Sequence, residues 1–243
     1  MLANPFCSDP GAGPRQASGA LVAGTIFRGL PDNPREAAER LLGELMVREQ
    51  TINLSSLVNC FRDCDLMEAD IRGDGYCLPA GLLSKKTLIV IPSKGQGEER
   101  RRFTLAHELG HLACHYRDNR DLILDEERWC DTFASELLMP KTRVAAFART
   151  VTTLADWLKF PQHFKVSRLA AARQLWEYCS VAMVTRRLNA EPGDPRYDAL
   201  RSEMIALAQA TAGSGDRFQR LSDGTECFIR EPRNEPYVAV AQA

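Results

Sequence analysis

The chain has 243 residues, of which 44% are hydrophobic and 26% are charged, and its formal net charge is -1 at pH 7. These values are ordinary for a globular protein, and they exclude a general electrostatic attraction to nucleic acid or to anionic membranes. The longest aliphatic run, Leu88-Ile89-Val90-Ile91, is far shorter than the ~20 residues that cross a bilayer, so we expect no membrane segment.

The N-terminus and the cysteines favour a cytoplasmic protein. Residues 1–15 lack the basic cluster and apolar stretch that mark a signal peptide. The eight cysteines are scattered and contain no C-x-x-C pair, which argues against a ribbon-type zinc site. We therefore expect free thiols in a reducing compartment.

The first half of the chain changes character at Pro34. Residues 1–34 are rich in proline and glycine, which predicts a disordered leader. Apolar residues then recur at helical spacing, which predicts an amphipathic helix over 35–49 and a second helix capped by Asn53 or Ser55. The turn glycines and the apolar run between Leu66 and Pro92 predict a short sheet of about three strands.

The second half is predicted to be mostly helical. A helix over 103–113 is followed by a polar connection and by a helix over 125–139 that ends before Pro140. Further predicted elements are helices over 142–149, 153–159, 167–189 and 196–210, and a short β tail over 225–230. We divide the chain into a leader (1–34), a catalytic domain (35–190) with a helix-turn-helix-like segment at its end, and an extension of unassigned role (191–243).

The predicted helix over 103–113 carries the sequence His107-Glu108-Leu109-Gly110-His111, an H-E-x-x-H motif. Histidines four residues apart lie one helical turn from each other, so both imidazoles can bind one ion. Glu108 lies about 100° around the helix, where it can reach a water molecule on that ion without binding the ion itself. Three protein ligands leave a fourth position on zinc for that water, and Glu108 can then act as the general base.

A third ligand is expected on the following helix. Glu127 is our choice, provided that this helix folds back against the first, and Glu126 and Asp125 are the competing carboxylates. Asp131, one turn beyond Glu127, could accept a hydrogen bond from the far nitrogen of a liganding histidine and fix its tautomer.

His115, Tyr116 and His163 are three further candidates for roles at the site. His115 continues the four-residue series, but ligands on one helical stripe do not converge on a tetrahedron. We expect His115 to line the cleft or to be structural, and Tyr116 is a second cleft-lining candidate. Tyr116 and His163 are both weak candidates for stabilising the oxyanion, so that role stays unassigned.

Two segments resemble the ImmA/IrrE family of metallopeptidases. They are the stretch from Arg102 to His111, similar to the family's R-F-T-x-A-H-E-x-G-H, and the stretch from Glu127 to Pro140, similar to E-x-x-A-[ND]-x-F-A-x-x-L-L-M-P with Cys130 in place of the usual alanine. A later segment, ending V-S-x-x-A-A-x-R at Arg173, is also similar, so that the resemblance covers about residues 35–175.

The resemblance implies an α+β protein with a thermolysin-like minimal zincin core, mostly helical with a small sheet. It implies that His107, His111 and Glu127 bind Zn2+, with Mn2+ as an alternative, and that Glu108 is the base. Members of the family commonly cut helix-turn-helix repressors. We therefore predict a metal-dependent endopeptidase that cleaves a repressor or antitoxin and so relieves repression in stress response or mobile-element control.

Two other functions stay open at this point. The basic segment 159–187 would suit a DNA-binding regulator that keeps the zincin core as a scaffold, although a solvated helix under the core is the simpler interpretation. A non-catalytic partner-binding protein is the third possibility, and the intact Glu108 argues against it.

Overall fold

The computed structural model describes residues 21–49, 51–117, 125–185, 194–231 and 238–242. The helices of this described part are α1 (Ala23–Arg28), α2 (Pro34–Glu44), α3 (Leu54–Val58), α4 (Glu98–His115), α5 (Glu126–Leu138), α6 (Lys141–Ala148), a 3-10 helix (Leu154–Lys159), α7 (Phe160–Phe164), α8 (Arg168–Cys179) and α9 (Pro195–Ala210). The strands are β1 (Cys64–Ala69), β2 (Tyr76–Leu78), β3 (Thr87–Pro92), β4 (Val181–Thr185), β5 (Arg217–Arg220), β6 (Glu226–Arg230) and β7 (Val238–Gln242). No helix in the described ranges is both long and apolar enough to cross a membrane.

The first sheet has three strands in the order β1-β3-β2, as the turn glycines and apolar run predicted. β3 is parallel to β1 and antiparallel to β2, and it is buried along almost its whole length because it lies in the centre. β2 therefore forms an edge of the sheet, and α4 packs beside both β2 and β3. The sheet therefore packs against the helix that carries the two histidines.

The α4 and α5 helices pack closely against each other, as the predicted fold-back requires. A Cβ atom added at Gly110 would lie 3.0 Å from the Cα atom of Cys130, so only glycine allows this approach without a shift. Leu109 and Leu112 on α4 and Phe133 and Leu137 on α5 are fully buried around the contact. The connection predicted between the two helices falls mainly on residues 118–124, which lie outside the part of the chain that the structure describes.

The prediction of a disordered leader is wrong for residues 21–34. Leu21 forms a β-bridge with Phe61, and α1 follows it. Phe27 of α1 is fully buried, and its ring stacks on Tyr116 at a centroid distance of 6.5 Å. The glycine and proline content of the whole predicted leader concealed the short apolar stretch that forms this helix. The rest of the predicted leader, residues 1–20, lies outside the described residues.

The prediction of one helix over 167–189 is also wrong, because α8 ends at Cys179. Ser180 adopts a left-handed backbone conformation (φ 52°), and strand β4 starts at the next residue. A short apolar run such as Val181–Val184 suits a buried strand as well as a buried helix, and periodicity does not separate the two. Residues 186–189 of the predicted helix lie outside the described part of the chain.

A second sheet, which the sequence did not predict, has four antiparallel strands in the order β4-β7-β6-β5. Its strands alternate between two cores: Val181 and Met183 of β4 lie in the main core, and Ala182 and Val184 lie in a second core against α9. α9 and β6 agree with the helix predicted over 196–210 and the β tail predicted over 225–230. The sheet contains strands from both sides of the domain boundary predicted at residue 190.

Gly110→Ala is expected to lower the free energy of unfolding by about 1–2 kcal/mol, because overpacking against Cys130 exceeds the gain in helix propensity. Gly43 is a suitable control, since it is a helical glycine with no heavy atom within 4 Å of an added Cβ. Gly43→Ala should leave stability unchanged or raise it by up to ~1 kcal/mol. Thermal and urea unfolding measure both variants, and equal stabilities would contradict the close contact.

Candidate metal centre

The H-E-x-x-H helix presents two imidazoles on one face. His107 and His111 lie one turn apart on α4, and their Nε2 atoms are 3.1 Å from each other. Both side chains are largely buried, with 16% and 23% of their surface exposed. In both rings the Nε2 atom therefore faces the same point between the two side chains.

Glu127 brings a carboxylate to the same point from the first turn of α5. One of its oxygens lies 3.2 Å from Nε2 of His107, and the other lies 3.4 Å from Nε2 of His111. Asp125, a competing candidate from the sequence, instead caps α5 by accepting a hydrogen bond from the backbone N–H of Arg128 at 3.0 Å. Glu127 therefore lies at the two histidines, whereas Asp125 caps the N-terminus of α5.

Two further carboxylates, those of Asp131 and Glu126, set the tautomers of the two histidines. Nδ1 of His107 lies 3.0 Å from Asp131, and Nδ1 of His111 lies 2.9 Å from Glu126. Carboxylates only accept hydrogen bonds, so each Nδ1 is assigned as the protonated donor. In the neutral rings both Nε2 atoms then carry lone pairs that face each other and the Glu127 carboxylate, an arrangement that a cation would stabilise.

The donor set fits a tetrahedral ion of zinc size. Donors held about 2.0–2.1 Å from such an ion are separated by roughly 3.3–3.4 Å, and the observed separations are 3.1, 3.2 and 3.4 Å. Glu127 remains 75% exposed, so the point is open to the cavity on one side. His107, His111 and Glu127 would therefore hold a divalent ion with room for a further ligand.

Sequence reasoning treated Glu126 as a competing ligand and missed its contact with His111. Glu126, His111 and Cys130 also have donor atoms within 4.8 Å of one another. Cys130 is fully buried, and a hydrogen bond with Cys114 together with burial raises the pKa of its thiol, which disfavours the thiolate that a metal requires. We therefore interpret Glu126 as the residue that orients His111, through a contact that depends on how α5 packs against α4.

Glu108 is buried beside the histidines, with 4% of its surface exposed. Burial raises the pKa of its carboxyl, while the nearby His111 and His107 oppose this shift. The loop before β2 covers it closely: a Cβ atom added at Gly75 would lie 2.8 Å from Oε1 of Glu108. Gly75 therefore lets the backbone pass directly over the predicted base.

The electrostatic surroundings of His107 act in two directions. Burial lowers its pKa, but the hydrogen bond and the charge of Asp131, together with the charges of Glu108 and Glu127, outweigh burial and raise the pKa overall. The same carboxylates that favour a proton on the ring would also favour a metal cation there.

These residues line a cavity of about 630 Å³. Its walls come from α4, the first turns of α5, the loop before β2 and the start of α8; the lining residues are Asp74, Gly75, Glu99, Arg100, Phe103, Thr104, His107, Glu108, His111, Glu127, Asp131, Ser135, Ser167, Leu169, Ala170 and Arg173. The part contributed by α8 was not assigned to the site from the sequence.

His115 and Tyr116 are not among the residues that line this cavity, which contradicts the cleft-lining role predicted for Tyr116 and agrees with the structural alternative given for His115. The ring of Tyr116 stacks on Phe27 in the core, and the ring of His115 lies edge-on against Tyr116 at a centroid distance of 5.2 Å. The rotation of about 40° for each four-residue step carries His115 away from the face of His107 and His111. His163 is also outside the cavity, with its ring 4.8 Å from that of Phe147.

A pair of histidines on one helix and a carboxylate on the next, packed beside a small mixed sheet, are the arrangement expected of an α+β zincin-like core. Residues 61–175 match the family model Peptidase_M78, described as the IrrE N-terminal-like domain, which confirms the resemblance to the ImmA/IrrE metallopeptidases. The matched segment holds all the residues of the candidate metal centre and the cavity-lining part of α8. No curated protein matches the chain.

Replacing the proposed ligand Glu127 should weaken metal binding more than replacing the carboxylates that accept hydrogen bonds from the two histidines. Glu127→Gln should cost far more affinity than Glu126→Gln or Asp131→Asn, which are expected to lose 10–100-fold because they orient a ligand instead of binding the ion. Titration with a competing chelator measures all three variants. Equal losses for Glu126→Gln and Glu127→Gln would contradict the choice of Glu127 as the ligand.

Proposed function

We propose that the protein is a zinc-dependent endopeptidase that cleaves a regulatory protein. The observation that carries the proposal is the convergence of His107, His111 and Glu127 on one point, with the buried Glu108 beside them. Mn2+ would also suit two imidazoles and a carboxylate, so that zinc is a choice among similar ions.

A bound ion would supply Lewis acidity, polarising a water molecule and the carbonyl of the peptide bond. Glu108 accepts the proton of the attacking water as its oxygen bonds to the carbonyl carbon, and later delivers that proton to the nitrogen of the leaving amine when the C–N bond breaks. Burial suits Glu108 to the first of these tasks, because a raised pKa makes its carboxylate a stronger base.

The proposed substrate is a helix-turn-helix repressor or an antitoxin, whose cleavage would relieve repression. Support comes from the likeness of residues 61–175 to the ImmA/IrrE family, whose members commonly cut helix-turn-helix repressors. A cavity of about 630 Å³ bounded by several elements is also of a size suited to a short peptide segment.

The alternative of a DNA-binding regulator depends on segment 159–187. Within it, α7 and α8 are joined by a short turn, in the manner of a helix-turn-helix. Leu169 and Arg173 on α8, however, line the cavity of the candidate metal centre. This position favours a role in the peptidase site, and tight DNA binding that weakens steeply with salt would favour the alternative.

Glu108→Gln is expected to abolish cleavage, a loss of at least about 10²–10⁴-fold, because the amide does not accept the water proton. The variant should still bind one divalent ion per chain, as measured by elemental analysis. Substrates can be found by incubating the metal-loaded protein with a proteome-derived peptide library and sequencing the new termini. A small repressor encoded beside this chain's gene would be the first whole protein to test. Cleavage by Glu108→Gln at the wild-type rate would refute the proposed base.

Gly75→Ala should reduce the turnover number without loss of metal, because the added methyl group would displace Glu108 and the methyl of Thr104, both 2.8 Å away. Gly43→Ala, which meets no neighbouring atom, serves as the control and should keep wild-type turnover. Steady-state kinetics on a peptide from the library give the comparison. Unchanged turnover in Gly75→Ala would show that the loop does not position the base.

A further inference from the structure

Arg173 on α8 lines the same cavity as the proposed metal ligands and base, from a different wall. The other arginine of the cavity, Arg100, is neutralised by an ion pair with Asp74 at 2.5 Å. Arg173 makes no hydrogen bond or ion pair with the part of the chain that the structure describes. It is thus an available positive charge at a site that otherwise presents mainly carboxylates.

The backbone around Arg173 is held firmly. Its neighbour Gln174 is buried and donates hydrogen bonds to Glu136 of α5 at 3.1 Å and to the carbonyl of Met139 at 2.9 Å. At the start of α8, Ser167 caps the helix by accepting a hydrogen bond from the N–H of Ala170.

The turn before α8 is tied to the metal-site helix. Arg102, at the start of α4, donates to the carbonyl of Lys165 at 3.2 Å and to that of Ile52 at 2.9 Å. α8 is therefore fixed relative to both α4 and α5, and with it the backbone position of Arg173 at the cavity wall.

We propose that the guanidinium of Arg173 binds the carbonyl oxygen of the scissile peptide bond and stabilises the negative charge that develops on it. The inference rests on the proposed peptidase activity. As the water oxygen bonds to the carbonyl carbon, the π electron pair of the carbonyl moves onto its oxygen, and the water proton passes to Glu108. When the C–N bond breaks, that pair re-forms the carbonyl, and Glu108 returns the proton to the leaving nitrogen.

Arginine suits this role chemically. Its guanidinium keeps its charge at any pH of interest and presents several N–H donors in one plane. A donor aimed at a developing oxyanion acts mainly on the transition state, so its removal lowers the turnover number more than it changes substrate affinity. Tyr116 and His163, the candidates from the sequence, lie outside the cavity.

Arg173→Gln should lower kcat by about 10²–10³-fold with KM changed less than threefold, and it should retain one metal ion per chain. Arg173→Lys should recover part of the loss. Arg168→Gln, on the same helix but outside the cavity lining, should behave as wild type. A raised KM with unchanged kcat, or no effect at all, would overturn the assignment.

A phosphinic pseudopeptide, whose tetrahedral oxyanion mimics the transition state, tests Arg173 without turnover. The metal-loaded wild type should bind this probe at least about 10²-fold more tightly than metal-loaded Arg173→Gln in a calorimetric titration. Equal affinities would overturn the role of Arg173 whether or not cleavage is found. Absence of cleavage by the wild type, with the difference in affinity retained, would instead count against the proposed peptidase activity.

Discussion

The close contact between α4 and α5 is the constraint on which the site depends. Gly110 lies between the two histidines of α4, and because it has no side chain the backbone of Cys130 on α5 can approach it. This approach brings Glu127, at the start of α5, within 3.4 Å of both Nε2 atoms. A side chain at position 110 would meet this backbone and push apart the two helices that carry the candidate metal ligands.

The carboxylates around the histidines have separate tasks, although three of them lie within six residues of chain. Glu127 faces the Nε2 atoms, whereas Glu126 and Asp131 accept hydrogen bonds from the Nδ1 atoms. The outer pair fixes the rings in the tautomer that leaves the inner nitrogens free for a cation. Glu108 is set apart from these groups by burial and by the loop at Gly75, which suits it to proton transfer.

The sequence predicted those parts of the site that depend on local spacing. His107, Glu108 and His111 share a helix, and the period of that helix determines their relative positions. Glu126 and Glu127 are adjacent, so which of them faces the two Nε2 atoms depends on how α5 packs, and no local pattern contains that information. The role of α8 was missed for the same reason, since Arg173 reaches the cavity only through contacts between distant helices.

The second sheet limits where the chain could be cut into shorter fragments. β4 lies just beyond the family-matched segment, which ends within α8 at Leu175, and it is hydrogen-bonded along its whole length to β7, near the other end of the described chain. Its alternate side chains belong to both cores, so a fragment that stops after β4 would leave the strand without its partner and expose Ala182 and Val184 to water. The zincin-like core and the C-terminal residues therefore share one sheet, in which β7 is the hydrogen-bonding partner of β4.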